Sequence, residues 1–177
     1  MPKRIETARL VLRPLCLEDY AFLRTLHTDP EVMKFIGTGS GRTEEQTQEG
    51  MRKTLKLAED TPVLGGWIVE LKGNGQPIGN CIVREPATAE KLAGIEIGYM
   101  FAKAHWGKGY ATEVTQGMVD YIKRELGEVC IVALIEPHHQ ASRHTLQKVG
   151  FQTIAMDTYV DPATGNKLPT ELLELLK

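Results

Sequence analysis

The sequence predicts a single domain of mixed α/β class, and three observations carry that expectation. Its 177 residues are 42% apolar and 25% charged, enough for one buried core and ordinary for a globular chain. Segments of strand character give way late in the chain to the order strand, helix, strand, helix, strand. No repeat, linker or low-complexity tract divides one part from another.

Residues 9–13 alternate polar and apolar before Pro14, as a short strand does. Residues 18–27 set Tyr20, Leu23 and Leu26 at helical spacing behind acids in the first turn. Asp29-Pro30-Glu31 starts a second, short helix expected to end at Gly37, with Asp as cap and Pro in the first helical position. Residues 37–41 form a glycine-rich loop without a basic residue, which reads as a substrate gate, and 43–59 form a polar, exposed helix.

Strands at 67–71 and Pro77–Arg84 flank Gly73-Asn74-Gly75, a hairpin signal, and 94–101 is a further strand. Tyr110–Leu126 carries Val114, Met118, Tyr121, Ile122 and Leu126 on one stripe, a helix ended near Gly127. Residues 129–135 are uniformly apolar, which predicts a central strand covered on both faces. Gln140–Val149 is a helix closed by Gly150, 154–160 a strand and 162–166 a turn. The closing Glu171-Leu172-Leu173-Glu174-Leu175-Leu176 is ambiguous, because its spacing alone suits a helix.

Lys plus Arg number 21 against 23 Asp plus Glu, a net charge of −2 that argues against a nucleic-acid partner. Cys16, Cys81 and Cys130 lie far apart with no CxxC spacing, so they are expected to be reduced, buried thiols. His138, His139 and His144 lack the spacing of a helical metal pair, and no metal is expected. The longest apolar run, 129–135, is too short to cross a bilayer, and residues 1–6 lack a signal-peptide core. The expectation is a cytoplasmic domain with no membrane partner, monomeric or homodimeric.

The most informative stretch is Glu96-Ile97-Gly98-Tyr99-Met100-Phe101, followed after residues 102–105 by Trp106-Gly107-Lys108-Gly109-Tyr110-Ala111. A strand enters a glycine-paired turn at which a long helix begins. The first N–H groups of a helix have no internal partner, and the helix dipole adds positive charge there. Gly107 and Gly109 let the backbone approach an anion, and Lys103, His105 and Lys108 add positive potential. The glycines also suit a plain tight turn. GxGxxG is incomplete, and Lys108 between the glycines does not make a P-loop.

Trp106-Gly107-Lys108-Gly109-Tyr110-Ala111 resembles the pyrophosphate-binding motif of the GNAT N-acetyltransferases, Q/R-x-x-G-x-G/A, with Trp106 in the place of the Gln or Arg. Residues 6–15, 29–33 and 137–151 resemble the branch of the ribosomal-protein N-terminal acetyltransferases, RimJ and RimL. The resemblance implies the GNAT fold: a mixed, mostly antiparallel twisted sheet of about seven strands with helices on both faces. The fourth and fifth strands, matching 94–101 and 129–135, would splay into a V that holds acetyl-CoA. By the same resemblance, main-chain groups of Tyr99, Met100 and Phe101 pair with the pantetheine amides like an added strand. Backbone amides of Trp106, Gly107, Lys108, Gly109, Tyr110 and Ala111 hold the pyrophosphate. An N–H near Met100 or Phe101 polarises the thioester carbonyl.

The family's second motif carries an asparagine where His139 stands, and this puts one contact to the pantetheine in doubt. The family's tyrosine acid falls at Leu146, which leaves Ser142 as the candidate donor to the leaving sulfur, or simply as a residue that pads the helix start. Glu96 shares a strand face with Gly98 and Met100 and is the candidate base; it equally suits a structural carboxylate paired with an Arg or Lys. At pH 7 a lysine-like amine costs roughly 4–5 kcal/mol to deprotonate, against about 1 for an α-amine. The expected reaction is therefore acetyl transfer from acetyl-CoA to a primary amine, a peptide N-terminus or a small molecule, by direct attack in a ternary complex. The alternative is an inactive acyl-CoA sensor. The acceptor pocket is expected from residues 35–59 and the C-terminal hairpin.

Overall fold

A computed structural model of the protein describes residues 2–88, 93–161 and 165–176. The strands are β1 (Ile5–Glu6), β2 (Leu10–Pro14), β3 (Gly65–Leu71), β4 (Pro77–Arg84), β5 (Ile95–Phe101), β6 (Ile131–Ile135), β7 (Phe151–Val160) and β8 (Lys167–Leu175). They form one sheet in the order β1-β2-β3-β4-β5-β6-β8-β7. Every neighbouring pair is antiparallel except β5 and β6. The strand beyond the seven expected is β1, two residues paired with β2 and too short to leave a pattern in the sequence.

The helices are α1 (Tyr20–Thr28), α2 (Pro30–Met33), α3 (Glu44–Asp60), α4 (Tyr110–Leu126) and α5 (Gln140–Val149). Trp67 and Ile68, neighbours on β3, are both fully buried because the sheet is covered on both sides. Trp67 packs with Val69, Cys81, Ile97 and the α4 stripe of Val114, Met118 and Ile122. Ile68 packs on the opposite side with Leu15, Leu23 of α1 and Met51 of α3. Gly109 and Gly127 bound α4 at the expected residues, each with positive φ.

Several expectations need correction. The short second helix stops at Met33; Asp29 caps it as expected, accepting from Glu31 N–H at 2.9 Å, but two successive turns, closed by Ile36 N–H to Met33 O and Gly39 N–H to Ile36 O, replace it from Met33 to Gly39. The C-terminal stretch is strand β8, lying between β6 and β7. Leu172 and Leu173 are both buried, because a central strand is covered on both faces and loses its two-residue period. Of the three cysteines only Cys81 is buried; Cys16 and Cys130 are partly exposed, and all are free. The turn expected at 162–166 lies partly outside the described residues, and Gly165 N–H donates to Asp161 O at 2.7 Å at its far end.

Candidate active site

The sheet opens where the parallel pair β5 and β6 parts. β5 and β6 are in register only at Ile95↔Ile131 and Glu96↔Val132, whereas β5 stays paired with β4 as far as Phe101. The main chain of Tyr99, Met100 and Phe101 therefore has no partner on β6. A cleft of about 990 Å³ begins there and continues between the sheet, α1, α3 and the β7–β8 hairpin.

One side of the cleft is a turn of backbone. After β5, a 3₁₀ turn (Lys103–His105) leads through Trp106 to Gly109, the cap of α4. Gly107 and Gly109 have φ of 72° and 79°, a region where a side chain is strained. A Cβ on Gly107 would meet nothing within 4 Å, so the turn has open space beside it. The Trp106 N–H, expected among the donors of the cradle, instead donates to Lys103 O at 3.1 Å, which leaves the amides from Gly107 onward. Trp106 Nε1 donates to Phe101 O at 2.7 Å and folds the turn onto the strand end. This geometry fits a diphosphate held by main-chain N–H groups.

Arg9 also reaches this turn. Its Nη1 donates to Lys108 O at 3.0 Å, its Nε pairs with Glu113 at 2.7 Å, and its guanidinium lies 4.6 Å over the Tyr110 ring. Read from sequence, Arg9 is only a strand residue, because its partners lie about a hundred residues away. Lys103, expected to add positive potential, pairs with Glu31 of α2 at 3.4 Å.

His139 is the cap of α5: its Nδ1 accepts from Ser142 N–H at 3.0 Å. Burial holds its pKa below the ordinary value, so the neutral ring carries its proton on Nε2. The Phe35 ring stands edge-on to it at 4.4 Å. The α2 segment thus touches both arms of the V, through Glu31 on one side and Phe35 on the other. Ser142 Oγ lies 3.1 Å from Tyr99 Oη, and Leu146, one turn further along α5, is buried.

Glu96 is 4% exposed and lies in the ion pair that was one of the two readings of it. Its Oε1 accepts from Arg84 Nη2 at 2.6 Å and its Oε2 from Ala87 N–H at 2.8 Å. Burial opposes the charge on Arg84, and the facing Glu96 keeps the guanidinium firmly protonated. The β4–β5 register places Asn80, Ile82 and Arg84 opposite Met100, Gly98 and Glu96. Asn80 Oδ1 and Arg84 Nε are buried without a hydrogen-bond partner, and both residues line the cleft.

The rest of the cleft lining comes from residues 35–57 and the hairpin residues Tyr159, Leu168, Pro169 and Thr170, the two regions expected to form a pocket, joined by Leu23 and His27 of α1. The α3 helix, polar in sequence, contributes Met51, Thr54 and Leu57. His27 Nδ1 lies 3.1 Å from Thr47 Oγ1; burial and the nearby charges of Arg42 and Arg24 push its pKa down to about 4. Arg42 approaches Asp161 at 4.0 Å and closes the loop over the hairpin. Among the described residues no group of three His, Cys, Asp or Glu is placed to hold a metal, and no helix is long and apolar enough to cross a membrane.

Residues 9–152 match the acetyltransferase (GNAT) domain family. The chain is 35% identical over 153 residues to the protein YkkB of Bacillus subtilis (strain 168), covering 83% of this chain and 84% of that one. It is 30% identical over 168 residues to the FsC-acetyl coenzyme A-N(2)-transacetylase of Aspergillus fumigatus, covering 91% of this chain and 71% of that protein. Its fold resembles that of RimL, a ribosomal L7/L12 alpha-N-protein acetyltransferase solved with coenzyme A, with a TM-score of 0.77 at 14% identity over 97% of both chains. With the parted parallel pair and glycine turn in place, these matches show that the chain belongs to the GNAT acetyltransferase family and is an acetyl-CoA-dependent acyltransferase.

Proposed function

We propose that the protein transfers the acetyl group of acetyl-CoA to an α-amine, that of a peptide N-terminus or a small molecule, by direct attack in a ternary complex. The backbone amides of residues 107–111 hold the diphosphate, and the main chain of Tyr99 and Met100, paired with β4 but not with β6, takes the pantetheine amides on its open side. An N–H near Met100 or Phe101 holds the carbonyl oxygen as charge develops on it. Glu96 accepts the amine proton through water, and Ser142 donates to the departing sulfur.

The observation that carries the choice of amine is the engagement of Glu96. Both of its oxygens already accept a hydrogen bond, which leaves it suited to the easier of the two deprotonations. The relative of 30% identity is named an N(2)-transacetylase, and RimL, alike in fold, an alpha-N-protein acetyltransferase; both names are consistent with transfer to an amine nitrogen.

The test is release of free thiol from acetyl-CoA with paired peptides, one offering only an α-amine and the other only a lysine. The α-amine peptide is expected to be turned over at least about tenfold faster. Equal rates, or a preference for lysine, would overturn the assignment.

A further inference from the structure

The loss of a phenol from α5 has a counterpart on β5. Leu146 stands where the resemblance places a tyrosine acid, and it is 1% exposed. Ser142 lies one turn earlier on the same helix face. Tyr99 reaches that turn from the strand, its Oη 3.1 Å from Ser142 Oγ, and both residues line the cleft.

We propose that Tyr99 and Ser142 form a two-hydroxyl relay that delivers a proton from the phenol to the departing CoA sulfur. The inference rests on the acetyl-transfer reading above and assigns Tyr99 a positioning role, acting through Ser142. When the C–S bond breaks, its electron pair stays on sulfur; sulfur takes the Ser142 proton and Ser142 takes that of Tyr99. The phenolate is then reprotonated by solvent water, while the amine proton passes separately to Glu96 on the other face of the strand and from there to solvent, so one proton leaves nitrogen and one arrives at sulfur. A phenol suits this role because its acidity is within a few units of that of a thiol.

The surroundings support a proton path. Burial raises the pKa of the phenol and keeps it protonated at neutral pH. Of the titratable groups nearby, His139 is held neutral by burial and Glu136 is engaged by His138. α5 keeps its His139 cap without the Ser142 hydroxyl, so Ser142→Ala leaves the helix start intact. Tyr99→Phe keeps the ring.

The decisive experiment follows the ultraviolet absorbance of the CoA thiolate bound to wild type, Tyr99→Phe and Ser142→Ala as pH rises. Hydrogen bonds to the sulfur favour its ionised form, so the bound thiol should ionise about one pH unit lower in wild type than in either variant. In single turnover with an amine accepted by wild type, Tyr99→Phe should be about 10- to 100-fold slower with unchanged CoA affinity. The double variant should be no slower than Ser142→Ala, because the two act as one unit. Identical thiol titrations in all three proteins, or penalties that multiply in the double variant, overturn the relay while leaving acetyl transfer standing. Failure of wild type to bind CoA removes both.

Discussion

The two sides of the cleft are made of different materials. On the donor side, the turn at residues 106–111 and the edge of β5 present main-chain groups, and glycine's lack of a side chain is the enabling feature. On the acceptor side, the wall consists of side chains already bonded to one another: Arg84 with Glu96, Arg42 with Asp161 and His27 with Thr47. A backbone site tolerates sequence change wherever the turn is preserved. A wall of paired side chains holds its shape only while every pair is intact. Substitutions on the acceptor side should therefore act first on the fold, and those on the donor side on affinity alone.

The largest effect is expected from Glu96→Gln, which leaves the Arg84 guanidinium buried without its counter-charge. Loss of about 3–5 kcal/mol in urea unfolding is expected, together with a rate per folded molecule at least about 100-fold lower. A full rate with an unchanged pH profile would make Glu96 purely structural.

Acid should probe the same side. The unfolded chain binds a proton on His27 near 6.5, whereas the fold keeps it neutral down to about 4. Stability therefore falls as pH drops through that window, by roughly 3 kcal/mol from this group, and is fully present above it. His139 and His105 are lowered too and act with the same sign. Unfolding at pH 7 and pH 5 should show a smaller difference in His27→Gln than in wild type; equal differences would remove His27 as the source.

On the donor side, Gly109→Asp places a carboxylate and a strained φ in the cradle. Calorimetry should show CoA bound at least about 100-fold more weakly, with a stability cost of only about 1–2 kcal/mol from the strained φ. Undiminished binding would remove the cradle from the mechanism. The smallest effect is expected from Gly37→Ala: φ is +57° and the new Cβ would stand 2.7 Å from Asp161 Oδ2. A cost of about 1–2 kcal/mol and a raised acceptor KM are expected, with CoA affinity unchanged. A weakened CoA affinity instead would blur the division between the two sides.

The same division decides what the sequence reveals. α4 and α5 start and stop at the expected residues, because capping glycines and a helical stripe are local signals. The donor turn is local too, and is readable as Gly107 and Gly109 next to a helix start. β8 escaped because a strand buried on both faces leaves no alternation, and β1 because two residues make no pattern. Arg9, Arg84, Asn80 and Tyr99's hydroxyl were not legible as site groups. Their meaning lies in partners such as Glu113, Glu96 and Ser142, which only the folded chain brings to them.

The short α2 segment rests on both banks of the split sheet, with Glu31 on Lys103 and Phe35 on His139. Whatever presses on His139 from the donor channel also sets the ceiling under which the nucleophile must fit. The expected outcome is compulsory order, the thioester entering before the amine. Its signature is a dead-end amine analogue that competes with the amine and inhibits uncompetitively against acetyl-CoA; noncompetitive inhibition against acetyl-CoA would mean random entry.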